Sequence, residues 1–213
     1  MKKNLALLTA VFFFGTVTLS AQNDVQPFQK GDFRIDLKLP HINYLTLNPD
    51  RTFRDDKFGF NGYGLGVEYS YNDNRFLEMS ASIAGTFKLP FPAHIDAEYN
   101  KILYSIYINL TNNVILNRFS FGYGLNCSSN TWKEWTRDFD STNLATTSEK
   151  LFVNNNLGLT FNSYYRVNKS LHLGVIYQPS LVSLNKTPPF IYEHLLSIEA
   201  NWRIKAFSWH SGN

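Results

Sequence analysis

Apolar and polar residues alternate one for one in eight separate stretches of this chain, and no other feature limits its fold as tightly. Successive side chains on a β-strand point to opposite faces, so strict alternation describes a strand with one apolar and one polar side. In residues 32–39, Phe33, Ile35, Leu37 and Leu39 alternate with Arg34, Asp36 and Lys38. In residues 59–71, Tyr63, Leu65, Val67, Tyr69 and Tyr71 alternate with Gly64, Gly66, Glu68 and Ser70. The same pattern predicts strands over 75–88, 99–111, 115–128, 152–166, 170–181 and 192–206.

The connections alternate as well. Asn72-Asp73-Asn74, Thr111-Asn112-Asn113 and Val167-Asn168-Lys169 are short and polar, as hairpin turns require. Long connections over 40–57, 89–98, 129–151 and 182–191 fall between them. Long and short connections in turn describe a meander with one plain end and one elaborate end. An even number of antiparallel strands, short turns at one end and long loops at the other are the marks of an outer-membrane barrel. The fold expected is all-β: a closed eight-stranded antiparallel up-and-down transmembrane β-barrel with short periplasmic turns and long extracellular loops. Both termini then lie on the periplasmic side.

The first 21 residues stand outside that pattern. Lys2 and Lys3 precede an apolar run from Leu5 to Val17, and Leu19-Ser20-Ala21 supplies small residues for cleavage before Gln22. This is the layout of a secretory signal peptide, and the run is short for a membrane span. The expected organisation is signal peptide 1–21, periplasmic leader 22–31, barrel 32–207 and tail 208–213. The chain has 20 basic and 17 acidic residues, so loss of Lys2 and Lys3 leaves a net charge of +1. That balance excludes a basic nucleic-acid surface. Cys127 is the single cysteine, which excludes an intramolecular disulfide.

Alternation alone also fits a secreted soluble barrel of the lipocalin type, with the apolar face inward. Composition separates the two. Charged residues make up only 17% of the chain, against roughly 25% in soluble domains. The polar faces carry mostly Gly, Ser, Asn and Thr, with one or two charges per strand, which suits a crowded interior better than a wetted exterior. On the apolar faces Tyr63, Tyr69, Tyr71, Tyr165, Tyr177 and Trp202 lie towards strand ends, where an interfacial aromatic belt belongs.

Asn156-Leu157-Gly158-Leu159 through Tyr165-Arg166-Val167-Asn168-Lys169-Ser170-Leu171-His172-Leu173-Gly174-Val175 resembles the penultimate hairpin of OmpX/OmpW-like and PorT-like outer-membrane barrels. Arg118-Phe119-Ser120-Phe121-Gly122-Tyr123-Gly124 is similar to another of their strands. The resemblance covers residues 32–207 in pattern and implies an architecture rather than an activity. Such chains often end on an aromatic residue; here Trp209 is followed by His210-Ser211-Gly212-Asn213.

With the apolar face outward, the lumen receives Arg34, Asp36, Glu68, Glu78, Arg118, Glu199 and Arg203, together with His172 and Lys205. The turn at Asp73 places Glu68 directly opposite Glu78. Like charges so placed repel, so an arginine, Arg118 or Arg34, is expected to bridge them. In the longest loop Trp132, Trp135, Arg137 and Phe139 mix aromatic and charged groups, as binding surfaces do. A loop folded on itself as a cap over the barrel is the other expectation for the same residues.

Catalytic patterns are absent. No His-x-Ser pair of the lipid A deacylase kind occurs, the five histidines show no metal-ligand spacing, and Gly62, Gly64 and Gly66 follow strand parity with no helix after them. No cofactor and no metal are expected. The leading expectation is a non-enzymatic outer-membrane barrel that is structural, or docks a partner through its outer loops as an accessory subunit of a larger assembly. A narrow channel for small solutes is the second, and a lipid-modifying enzyme the third. Expected partners are outer-membrane lipid and lipopolysaccharide and other outer-membrane proteins, with no nucleic acid.

Overall fold

The computed structural model describes residues 28–51, 53–87, 99–139 and 145–209. The expected signal peptide and most of the leader lie outside them. Eight strands run in chain order: β1 (Asp32–Leu47), β2 (Asp55–Asn72), β3 (Arg75–Phe87), β4 (Tyr99–Leu116), β5 (Phe119–Phe139), β6 (Ala145–Arg166), β7 (Leu171–Ser183) and β8 (Phe190–Ser208). Each is antiparallel to its sequence neighbours, and β8 pairs with β1 to close the barrel. Closure leaves no free sheet edge around the wall, which hydrocarbon demands because it cannot hydrogen-bond a bare backbone.

The barrel is inside out relative to a soluble protein. Asp36, Glu68, Glu78, Glu199, Asn201 and Thr160 are buried, whereas Leu65, Met79, Leu110, Leu125, Ile198 and Ile204 are exposed. Pairing carries this around the wall: Val67 faces Met79, Met79 faces Leu110, Leu110 faces Leu125 and Leu125 faces Leu159. The result is a continuous apolar belt.

Three long connections of the predicted layout are shorter in the structure. β1 continues to Leu47 and β2 begins at Asp55, so 40–57 is mostly strand. Likewise β5 and β6 fill most of 129–151, and the last connection shrinks to 184–189. Parity hid two of these extensions. Between Lys38 and His41 the β1–β8 register shifts, and the buried positions change from Arg34, Asp36 and Lys38 to Asn43, Leu45 and Leu47. Pro40 sits at this shift, where a missing N–H is tolerated. β2 shifts at Phe60–Gly62, with Asn61 at φ 111°, and β7 shifts between Ser180 and Val182. A pattern search that holds one phase stops at each bulge.

The turn expected at 111–113 is strand. Thr111 and Asn113 are buried in the lumen, and β4 ends at Leu116. Polar residues here mark the inner face, not a turn. The chain reverses at Asn117-Arg118, where Asn117 has φ 59°, a conformation asparagine tolerates. Gly31 (φ 90°) ties the N-terminal segment to the end of β8: its carbonyl accepts from the Trp209 N–H at 2.7 Å, and a Cβ there would lie 2.2 Å from the Trp209 carbonyl oxygen.

Candidate functional site

The polar faces of all eight strands meet in a lumen filled by side chains, arranged in two zones. Towards the turn end lies a charge network. Glu68 and Glu78 are cross-strand partners, as expected, and both are buried. Two cations divide them. Lys38 Nζ lies 2.5 Å from Glu78 Oε1 and 3.8 Å from Glu199 Oε1, and it donates to Ser80 Oγ at 3.3 Å. Arg203 Nε lies 3.1 Å from Glu68 Oε1, and its guanidinium stacks between Tyr164 and Phe76. Tyr164 also donates to Glu199, and Gly174 leaves the space its ring occupies.

The expected bridge is therefore corrected. Arg118 stands half-buried in the β4–β5 turn and donates to Tyr165 Oη at 3.4 Å. Arg34 pairs with Asp32 at 3.1 Å. The bridging role passes to Lys38 and Arg203. Lys38 is legible in the sequence, since it shares the polar face of Arg34 and Asp36. Asp36 is fully buried opposite Arg203, and neither carboxylate oxygen has a hydrogen-bond partner among the described residues. One oxygen each of Asp36, Glu68 and Glu78 lie within 4.8 Å of one another, close enough to hold a metal ion, although Lys38 and Arg203 already pair with two of the three.

The loop-end zone is a plug. Leu45, Leu47, Ala84, Leu103, Tyr107, Trp132 and Leu195 form one buried apolar cluster across the lumen, with Phe152 packed against it. Beside it the buried Glu193 carboxylate accepts from four N–H groups. Asn154 Nδ2 and the Asn48 N–H donate to Oε1 at 2.6 and 2.9 Å; Asn130 and Asn156 Nδ2 donate to Oε2 at 2.6 and 2.7 Å. Lys186, in the 184–189 connection, donates to the Pro49 carbonyl, and burial lowers its ammonium below the usual lysine range.

Trp132 was expected on a loop surface. It lies on β5, 3% exposed, and its Nε1–H donates to Asp55 Oδ2 at 2.5 Å. Asp55 Oδ1 accepts from Lys101 at 2.6 Å, so β2, β4 and β5 are tied together above the belt. Trp132 is thus part of the lumen plug and not of a loop surface. Trp132→Phe should keep the packing but lose the hydrogen bond, costing about 1–2 kcal/mol in an unfolding titration; no measurable change would mean that Lys101 alone satisfies Asp55. Trp135 is half-buried, with Lys133 Nζ 5.8 Å from its ring centroid. The side chains of Arg137 and Phe139 lie outside those described, although their backbones pair with Thr147 and Ala145.

Of the six aromatics proposed for a belt, Tyr63, Tyr69, Tyr165 and Trp202 are exposed and Tyr71 and Tyr177 half-buried. Tyr69 packs on Phe33, and Phe33 on Phe207, with centroids 4.7 and 4.6 Å apart; Tyr165 packs on Phe119 at 5.1 Å. These rings gather at the turn end. Tyr63 does not join them: because β2 begins at Asp55, it stands at mid-strand, opposite Ile83.

A closed antiparallel barrel with an apolar exterior and a charged, filled interior is a membrane-spanning β-barrel. A solved structure agrees on the fold. Ail, the attachment invasion locus protein of Yersinia pestis, superposes with a TM-score of 0.51 at 12% identity, over 83% of this chain and 100% of Ail. Neisserial surface protein A gives 0.46 at 15% identity, over 82% and 97% of the two chains. The N-terminal β-barrel domain of Pseudomonas aeruginosa OprF gives 0.38 at 10%, over 82% and 98%. Likeness at this identity is likeness of fold. No protein-family model and no curated protein sequence matches the chain.

Proposed function

We propose that this is a non-enzymatic barrel of a bacterial outer membrane, of OmpX/OmpW-like or PorT-like kind, exported by a cleaved signal peptide and oriented with both termini in the periplasm. Its role is that of a structural or partner-docking accessory subunit in a larger outer-membrane assembly. Lipid and lipopolysaccharide surround the belt.

One observation carries the docking role. β5 and β6 pair with each other from Phe119–Tyr165 to Phe139–Ala145, but β7 pairs with β6 only from Asn156 onward. Residues 145–152 therefore form a strand edge without a ladder partner from β7 on a hairpin that projects past the barrel rim. Leu151 is exposed on it, among Ser148, Glu149 and Lys150. An exposed edge with alternating side chains is a template for strand addition by another chain. The filled lumen speaks against the channel reading.

Purification from native membranes in mild detergent tests this. A stoichiometric partner should copurify with the full-length chain and be lost when 135–149 is replaced by a two-residue turn, with the barrel still folded. A lone monomer that gives discrete openings in planar bilayers would overturn docking in favour of the channel.

A further inference from the structure

The turn end of the lumen holds a cavity of about 230 Å³ lined by Phe28, Arg34, Arg166, Lys169, Ser170, His172, Arg203 and Lys205. Five of these side chains are cationic and none is acidic. Three carboxylates face them from outside the lining: Asp32, shared by Arg34 at 3.1 Å and Lys205 at 2.9 Å, Glu68, held by Arg203 at 3.1 Å, and Asp36, buried opposite Arg203. Five positive charges against three negative ones leave a surplus of two around one cavity.

Donors here are also unspent. Arg203 is 3% exposed and Arg34 8% exposed. Among the described residues, both Nη atoms of Arg203, Nη1 of Arg34 and Nε of Arg166 are buried without a hydrogen-bond partner. Buried guanidinium N–H groups left unpaired cost free energy, and a site that converges several of them is completed by an acceptor-rich anion. The Arg34 guanidinium is fixed in place by stacking 3.5 Å over the Phe28 ring, and Phe28 stacks on Phe76. His172 is tethered by Nδ1 to the Ser170 carbonyl at 3.1 Å.

We infer that this turn-end cavity is a binding site for a phosphate-type oxyanion. Planar guanidinium groups match phosphate oxygens in pairs, and a surplus of two charges favours a multiply charged phosphate over a single carboxylate. The cavity is smaller than the roughly 300–1,000 Å³ of sites for drug-sized ligands, so it takes a headgroup or a small phosphate, not a lipid body. The site lies at the opposite end of the barrel from the β5–β6 hairpin and does not depend on the docking role.

Two sources share this chemistry: a phospholipid headgroup at the membrane surface, and a soluble phosphate. Folded protein in detergent, exchanged extensively to remove loose lipid, is assayed for retained phosphorus and then titrated calorimetrically with pyrophosphate. One retained phosphorus-bearing headgroup per chain identifies a lipid, whereas lipid-free protein that binds pyrophosphate saturably identifies a soluble ligand. In either case Arg166→Gln with Lys169→Gln should weaken binding about tenfold or more. Added salt should weaken it too. The charge-conserving pair Arg166→Lys and Lys169→Arg should retain it. Folding of each variant is checked by heat-dependent gel mobility. Protein that keeps no phosphorus and binds no pyrophosphate, or a folded glutamine variant that binds as the parent does, would overturn the inference.

Discussion

Lys38→Met is expected to destabilise the folded barrel by about 3–5 kcal/mol, the usual cost of removing one partner from a buried ion pair. Lys38 is fully buried and faces Glu78 at 2.5 Å and Glu199 at 3.8 Å. Methionine fills a similar volume but returns no charge. Glu78 and Glu199 then lose this cation, and Arg203 is the remaining partner on the Glu68–Glu78 side. Equilibrium unfolding in lipid vesicles, followed by tryptophan fluorescence, measures the loss. The double variant Lys38→Met with Glu78→Gln should recover part of it, because the stranded carboxylate goes with its partner. A loss below about 1 kcal/mol would mean that the network does not depend on that ammonium.

Leu125→Arg tests the outer surface in the same way. Leu125 is 64% exposed, and its neighbours Leu110 and Leu159 are apolar. On a soluble protein, an exposed leucine changed to arginine would alter stability by no more than about 0.5 kcal/mol. At the middle of a lipid-facing belt it should cost about 2–4 kcal/mol, with smaller losses for positions nearer the rims. The comparison position is Tyr165, exposed at the turn end beside Phe119, where arginine should cost about 0–1 kcal/mol for lost lipid contact, plus any ring contact. Equal effects at both sites would contradict a hydrocarbon belt.

The barrel itself was legible in the sequence because its central parts obey one rule, alternation, which depends on each residue and its immediate neighbours. Glu68 opposite Glu78 followed from a turn centred on Asp73 and held, although the turn itself is Asp73-Asn74 and a register shift between Ser70 and Asn72 restores the pairing. What alternation could not reach were events that change its phase. Pro40 and Asn61 mark bulges beyond which the inner face moves to the other parity, so 40–47 of β1 and 55–58 of β2 fall outside the predicted strands. The partner of each lumen charge was likewise out of reach. Whether Glu78 meets Lys38 or an arginine depends on the shear of the closed barrel, which brings together residues forty positions apart. Trp132 illustrates the remaining gap. An aromatic residue among charges reads as a binding surface until the structure shows Asp55 at its nitrogen. The open edge at 145–152 had no local signal, because it is set by where β7 stops.

The phase shifts also sort the chain by its tolerance of insertion and deletion. Below Lys38 in β1 and below Gly62 in β2, one added residue would turn every later side chain over, putting Arg34 or Glu68 into lipid and Leu37 or Val67 into the lumen. Above those points the strands have changed phase once, and in β1 the new parity buries Leu45 and Leu47 in the plug, so a residue added just below them would turn them out of it. The residue count of the strands is thus fixed from the turns up to the plug, and a change of length is accommodated in the connections beyond it.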